Sequence, residues 1–259
     1  MELKSNTILI TGGSNGIGFH LAKELVKLGN KVVVTGRDPA RLAKAEQAIP
    51  GLKTIRSDAG QVKDIQALQE TMSRDFPELN VLVNNAGIMR TVNLHKPVDS
   101  LEGFTHEVEV NLMGPIRLVA AFLPMLKQRP EAAIMNVTSG LAFVPLPTSP
   151  IYCATKAALH SYTRSLRVQL KGTRVKVFDL APPATETELL ASGTNPEDMK
   201  GIAVMKVEDL VAHAIRGMER DQLEIRPGQA NQLRFMNRLA PDFILGQLSK
   251  PVERMLRES

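Results

Sequence analysis

The chain has 259 residues, 43% of them apolar, 23% charged and 4% aromatic. That apolar share excludes a disordered chain, and the length suits one α/β domain spanning residues 1–259. Thirty-two Lys and Arg against 27 Asp and Glu leave +5 spread without a basic block, which argues against nucleic acid as a partner.

The single cysteine, Cys153, excludes an internal disulfide framework and a cysteine-ligated zinc, and no metal site is expected. It also points to a reducing compartment, and a cytoplasmic location is expected. The polar start, Met1 to Asn6, has no apolar segment of a secretory signal behind it. No uninterrupted apolar run reaches the roughly 18 residues of a membrane span.

In chain order, β-branched runs alternate with helical patterns. The run Thr7–Ile10 leads into Thr11-Gly12-Gly13-Ser14-Asn15-Gly16-Ile17-Gly18. In such a loop Gly12 permits a tight turn, Gly16 lets backbone approach a pyrophosphate and Gly18 lets the helix pack on the sheet. Helix Ile17–Leu28 follows, with Ile17, Leu21, Leu25 and Leu28 on one face.

Strand Lys31–Thr35 ends at Gly36-Arg37-Asp38, where the adenosine ribose of a dinucleotide would lie. Gly36 has no side chain to accept from the 2′-hydroxyl of NAD. Arg37 can pair with a 2′-phosphate, while Asp38 is expected to point away in the turn before Pro39. NADP(H) is therefore preferred, with NAD(H) as the alternative.

Helix Ala40–Ala48, strand Lys53–Arg56, helix Val62–Phe76 and strand Val81–Val83 come next. A long helical stretch, Leu101–Lys127, and strand Ala133–Val137 follow. Ser139 stands at that strand's carboxyl end, where ligands collect.

Helix Tyr152–Leu170 carries Tyr152 and Lys156 four residues apart, hence on one face. A lysine ammonium beside a tyrosine, together with a positive nicotinamide ring, favours the phenolate, so Tyr152 can act as acid or base on a carbonyl or alcohol, with Ser139 orienting the oxygen. Strand Val175–Leu180 precedes an irregular substrate loop, 182–205. Helix Val207–Glu219, run Gln222–Ile225 and a basic, partly amphipathic extension, 228–259, close the chain. Continuous apolar strands mean burial on both faces, so the expected fold is a Rossmann-like, doubly wound parallel sheet of about seven strands with helices on both faces.

Taken together, Thr11–Gly18, Asn84-Asn85-Ala86-Gly87, Asn111, Ser139 and Tyr152-Cys153-Ala154-Thr155-Lys156 resemble the compact, single-domain short-chain dehydrogenase/reductases, from Thr7 to about Ile225. The resemblance implies an NAD(P)-dependent oxidoreductase with Ser139, Tyr152, Lys156 and Asn111 catalytic, Asn111 holding a water that relays protons to Lys156. It places Gly12, Ser14, Asn15, Gly16, Ile17, Gly18, Arg37, Asp58, Ala59, Asn85, Ala86 and Gly87 around the cofactor. Tyr152, Lys156, Pro182, Thr185 and Thr187 complete that set. Asp58 matches the adenine contact and Thr187 the carboxamide contact, although Pro183 replaces a usual glycine. The resemblance also implies a homodimer or homotetramer packed through Leu101–Lys127 and Tyr152–Leu170.

Met89, Leu141, Phe143 and Leu146 suggest an apolar wall for a small-molecule ketone, aldehyde or secondary alcohol. Met89-Arg90, Leu141–Pro147, Ala181–Pro183 and Arg226–Gln247 resemble a bacterial branch labelled from teichoic-acid D-alanylation operons, a gene-neighbourhood label that carries no substrate. The competing reading is a cofactor-binding sensor or envelope-associated scaffold without turnover. In that reading the tail, through Phe235, Leu239 and Phe243, would lie on a membrane; docking of the tail on the subunit interface or on the substrate loop is the plainer expectation.

Overall fold

The computed structural model describes residues 1–98, 100–199 and 201–257. Residue 200 of the substrate loop and residues 258–259 of the extension lie outside the described residues. The strands are β1 (Thr7–Ile10), β2 (Lys31–Gly36), β3 (Lys53–Arg56), β4 (Val81–Asn84), β5 (Ala132–Val137), β6 (Val175–Leu180) and β7 (Glu224–Ile225). They form one sheet in the order β3-β2-β1-β4-β5-β6-β7. Every neighbouring pair is parallel. The order reverses between β1 and β4, and at such a switch point the loops diverge and leave a crevice beyond the carboxyl ends of the strands.

The central strands β1, β4 and β5 are buried at every position because both faces are covered. Ile8 and Ile10 of β1 face α1 (Gly16–Lys27) and α8 (Val207–Glu219), in a core with Leu21, Leu25, Leu210, Val211 and Phe178. Leu9 points the other way, into a core with α3 (Val62–Asp75), α5 (Gly114–Leu126) and α6 (Pro150–Gln169), through Leu68, Met72, Leu118, Phe122 and Leu166. Complete burial of a side chain such as Phe122 stabilises the fold by about 1.5–3 kcal/mol. Helix α2 (Pro39–Ala48) begins on a cap in which the Asp38 carboxylate accepts from the amides of Ala40 and Arg41, with Pro39 at the first helical position.

The long stretch from Leu101 is not one regular helix. Helix α4 (Leu101–Val108) passes through a π-helical turn, Glu109–Met113, into α5. Its most apolar window has a mean hydropathy of 1.3, enough by length and composition for a membrane span. Leu118, Val119 and Phe122 spend that apolarity on the sheet, and the carboxyl of Glu107 and the amide of Asn111 are buried within the protein.

The substrate loop has more order than its composition suggests. Thr185 pairs with Met205 as a parallel β-bridge, closing the segment at its base. Between them lie α7 (Glu188–Gly193) and a 3₁₀ turn, Pro196–Met199. The extension folds as two helices, α9 (Gln229–Leu239) and α10 (Pro241–Arg257). The last strand is shorter than the run Gln222–Ile225.

Candidate active site

The crevice holds a cavity of about 1020 Å³ that runs from the tip of β2 to the start of α6. Its floor is the glycine loop. Gly12 has φ of +66°, and a Cβ there would stand 2.8 Å from the Ala86 Cα, so no other residue fits without moving backbone. Gly16, at φ +54°, opens α1, and Gly16 and Ile17 line the cavity at this helix start, which favours an anion. Gly18 lies beneath the loop rather than on the cavity: a Cβ there would meet Asn85 Nδ2 at 2.5 Å and the Gly12 carbonyl at 2.6 Å. Its contribution is close packing of helix on loop, and its expected contact with a cofactor is corrected accordingly. The Asn85 amide donates to the Thr11 and Gly12 carbonyls at 2.9 Å each, while the Thr11 hydroxyl accepts from the Asn85 and Ala86 amides. Strands β1 and β4 are thereby tied where the loop must hold its shape.

At the β2 end, Ser14, Asn15, Gly36, Arg37, Asp58 and Ala59 line the cavity, and so does Asp38, against the expectation that it points away; its carboxylate caps α2. Arg37 Nη1 is 4.0 Å from the Asp58 carboxylate. Asp58 also accepts from the Gly60 amide at 2.9 Å, an ordinary turn contact. A second cation, missed in the sequence, stands here. Arg41 of α2 lines the same region and bonds Glu188 at 2.6 Å, and Asn15 Nδ2 donates to the same carboxylate oxygen at 2.9 Å. Arg41 and Asn15 hold the Glu188 carboxyl below its ordinary range. Local pattern offered no signal for this pair, whose members lie 147 residues apart.

At the other end the reactive groups converge. Tyr152 and Ser139 both line the cavity, and Ser139 acts to lower the phenol. Lys156 Nζ lies 5.6 Å from the Tyr152 ring centroid and donates to the Val137 carbonyl at 2.8 Å. Both Tyr152 and Lys156 are buried at the cavity wall. Burial pushes the Tyr152 phenol up to about 12, only partly offset by Ser139, and pulls Lys156 down to about 8. Desolvation therefore holds the Tyr152 phenol protonated at neutral pH.

Asn111 sits in the π-helical turn and behind the cavity wall rather than on it. Its amide clamps Ile88 through both backbone groups, at 2.9 and 2.8 Å, and reaches Thr155 Oγ1 at 3.2 Å. A Cβ on Gly87 would lie 3.5 Å from both Asn111 Oδ1 and Lys156 Nζ, so Gly87 leaves the space between them open.

Met89, Leu141 and Leu146 line the cavity and pack with Leu189 against Tyr152 and Cys153. Phe143 does not face the cavity. After the 3₁₀ turn Gly140–Ala142 its ring stands edge-on to His160, with centroids 5.0 Å apart, so its assignment to the substrate wall is corrected. The wall gains residues that pattern reading missed, Gln229, Gln232, Leu233 and Met236 of α9 and Leu248 of α10. Pro182, Thr185 and Thr187 line the passage between the two ends. With no amide hydrogen at Pro183, the chain is held by neighbouring groups: the Pro182 carbonyl accepts from Gly140, the Pro183 carbonyl from the Thr185 hydroxyl, and Ala184 from Met205. Thr187 caps α7 and presents its methyl 3.6 Å from where a Gly16 Cβ would be. Among the described residues no cluster of His, Cys, Asp or Glu could hold a metal.

Comparison with known proteins agrees with this geometry. The short chain dehydrogenase family profile matches residues 6–198. The chain is 42% identical over 251 residues to the uncharacterised oxidoreductase DltE of Bacillus subtilis, covering 96% of this chain and 98% of that protein. A short chain dehydrogenase from Burkholderia cenocepacia solved with NADP superposes with a TM-score of 0.81 at 25% identity, over 96% of this chain and 99% of that one. A 3-ketoacyl-(acyl-carrier-protein) reductase from Brucella melitensis solved with NADH gives 0.79 at 28% identity, over 88% and 100%.

Proposed function

The chain belongs to the short-chain dehydrogenase family, and from that membership we propose that it is an oxidoreductase acting between NADP(H) and an apolar ketone, aldehyde or secondary alcohol, with Tyr152 as its acid and base. The observation that carries this reading is the meeting of Tyr152, Ser139 and Lys156 at one end of a cavity whose other end is a glycine cradle. The cradle fits a dinucleotide, because Gly12, Gly16 and Ile17 line the cavity at the start of α1, where a helix N-terminus favours a phosphate.

When bound, the nicotinamide cofactor supplies the hydride for reduction and accepts it in oxidation. Ser139 donates a hydrogen bond that orients the carbonyl oxygen. The protonated Tyr152 phenol gives its proton to that oxygen as negative charge develops there. Lys156 holds the ribose hydroxyls and supplies positive charge beside the phenol. Arg37 and Arg41 supply the charge for a 2′-phosphate, and Gly36 supplies no acceptor for a ribose 2′-hydroxyl. The apolar wall of Met89, Leu141, Leu146, Leu233 and Met236 favours a bulky apolar carbonyl.

Tyr152→Phe removes the proton donor, and a screen of aldehydes and ketones by NADPH oxidation tests the reading. Turnover in the parent that persists at full rate in Tyr152→Phe refutes it. We further propose a symmetric oligomer. Leu101 of α4 and Val168 of α6 are 77% and 73% exposed, apolar side chains on the two helical stretches that a partner subunit would cover. Light scattering that reports a monomer at micromolar concentration refutes this part.

A further inference from the structure

At the β7 edge of the sheet, a second cavity of about 340 Å³ lies between α8 and the turn that leaves β7. It shares no lining residue with the large cavity. Gly217 and Ile225 line it and are buried. A Cβ on Gly217 would stand 2.5 Å from the Ile225 side chain, so this glycine lets α8 close on β7. His213, Arg216 and Arg220 of α8 also line it, at spacings of three and four that put them on one helix face. Arg226 joins them from the far end of β7.

Among the described residues, no Asp or Glu lines this cavity. The acids of α8 lie outside it: Glu208 faces His20 at 3.4 Å, and Asp209 and Glu219 are not on its wall. The side chains of His213, Arg216 and Arg220 have no ion-pair partner among the described residues. Arg226 is paired with Glu224, but Arg167 also approaches that carboxylate, at 3.5 Å. The Arg226 Nε is buried and has no acceptor, an arrangement that costs energy until an acceptor arrives. Helix α9 starts at the same cavity, with Gly228 as its cap and no side chain bonding its first amides.

We propose that this cavity binds a phosphate group, with Arg216, Arg220 and Arg226 as its charged donors and His213 beside them. Guanidiniums crowded on a concave surface repel one another and focus a positive potential, and an anion relieves both. Their planar forks match phosphate oxygens in pairs. Donors arriving from α8, from the turn after β7 and from the start of α9 suit a group with three acceptor oxygens. A symmetric contact with a second copy through this edge would set arginine against arginine, which disfavours self-association here. The volume suits a small phosphate ester or the headgroup of an anionic lipid, two sources with the same chemistry. Gln229, next to Gly228, lines the large cavity, so an occupant would touch the helix that builds part of the substrate wall.

The proposal does not rest on the oxidoreductase reading, and its test needs neither substrate nor turnover. Pyrophosphate is titrated by calorimetry into the cofactor-free parent and into Arg216→Gln/Arg220→Gln, with thermal melting to establish that each is folded. Both arginines are exposed, so the substitutions leave the core intact. Any uptake by the glycine loop is common to both proteins and cancels in the comparison. The parent should take up one equivalent that the double variant binds at least about tenfold more weakly, the worth of a charge-assisted hydrogen bond. Lys23→Gln/Lys63→Gln, which removes the same charge elsewhere, should keep that equivalent. Flotation with phosphatidylglycerol vesicles, but not with phosphatidylcholine, that is lost in Arg216→Gln/Arg220→Gln identifies the phosphate as a lipid headgroup. Pyrophosphate uptake without flotation identifies it as a soluble ester. Equal uptake by the parent and Arg216→Gln/Arg220→Gln overturns the proposal, as does an equal loss in Lys23→Gln/Lys63→Gln. A parent that neither takes up pyrophosphate nor floats overturns it too. A parallel loss of NADPH affinity in Arg216→Gln/Arg220→Gln would place these arginines in the cofactor site and also overturns it.

Discussion

The two ends of the cavity are built on different principles. The glycine-loop end is backbone: glycine φ values, the start of α1 and a short bracing network from Thr11 and Asn85, all within the turns that leave β1 and β4. The substrate end is side chain, and its wall is assembled from the turn after β5, the loop between β6 and α8, and the terminal helices α9 and α10. A backbone cradle tolerates little change, because no rotamer can relieve a misplaced Cβ. A wall of Leu and Met side chains can repack, so this end can adapt its shape where the cradle cannot.

The largest expected effect comes from the junction between the two ends. Tyr152→Phe should lower kcat by about 10²–10⁴-fold, the usual contribution of a positioned acid, while NADPH affinity measured by fluorescence stays near the parent value. Loss of binding with loss of turnover would mean that the two ends are not separable.

Gly12→Ala attacks the cradle. The added Cβ meets the Ala86 backbone at 2.8 Å and is forced to positive φ, at a cost of about 1–2 kcal/mol for the conformation alone. Nucleotide binding should fall below detection by calorimetry. Normal binding would show that this end adapts as readily as the other.

Charge selection at the β2 tip comes next. NADPH should bind at least about tenfold more tightly than NADH. Arg37→Ala should remove part of that preference and the Arg37→Ala/Arg41→Ala double variant all of it, with NADH affinity nearly unchanged. Equal affinities in the parent make both arginines plain surface residues.

Lys156→Met separates function from stability. The lysine's charge is depressed by burial to about 8, below its ordinary value of 10.5. The unfolded chain therefore binds this proton more tightly than the folded one between those values. Stability held back by Lys156 at neutral pH returns as pH rises through that window. Replacing it with Met should abolish turnover yet raise the neutral-pH Tm of the cofactor-free protein by about 2–4 °C in calorimetry. A lower Tm would mean that the ammonium's bond to Val137 outweighs its desolvation.

The smallest effect tests whether the ends communicate. Glu188 of the loop grips Arg41 in the cofactor half, and both are solvent-exposed. Glu188→Gln should free Arg41 and strengthen NADPH binding by about two- to fivefold, the range of an exposed ion pair. Weaker binding would make Glu188 part of the cofactor grip instead.

The parts legible from sequence are those whose geometry is local. A strand-turn-helix with glycines at 12, 16 and 18 places amides at a helix start whatever surrounds it, and Tyr152 and Lys156 share a face because a helix repeats every 3.6 residues. Strands apolar at every position imply cover on both sheet faces, so the parallel sheet was legible as well. Contacts between distant segments were decided by tertiary structure alone. Arg41 meets Glu188, Asp179 receives Thr138 and His160, Phe143 turns toward His160, and α9 and α10 complete the wall. Periodicity fixes which residues share a face of one element. The partner of that face depends on how whole elements pack, because a side chain's neighbours across a crevice are set by the positions of other strands and helices.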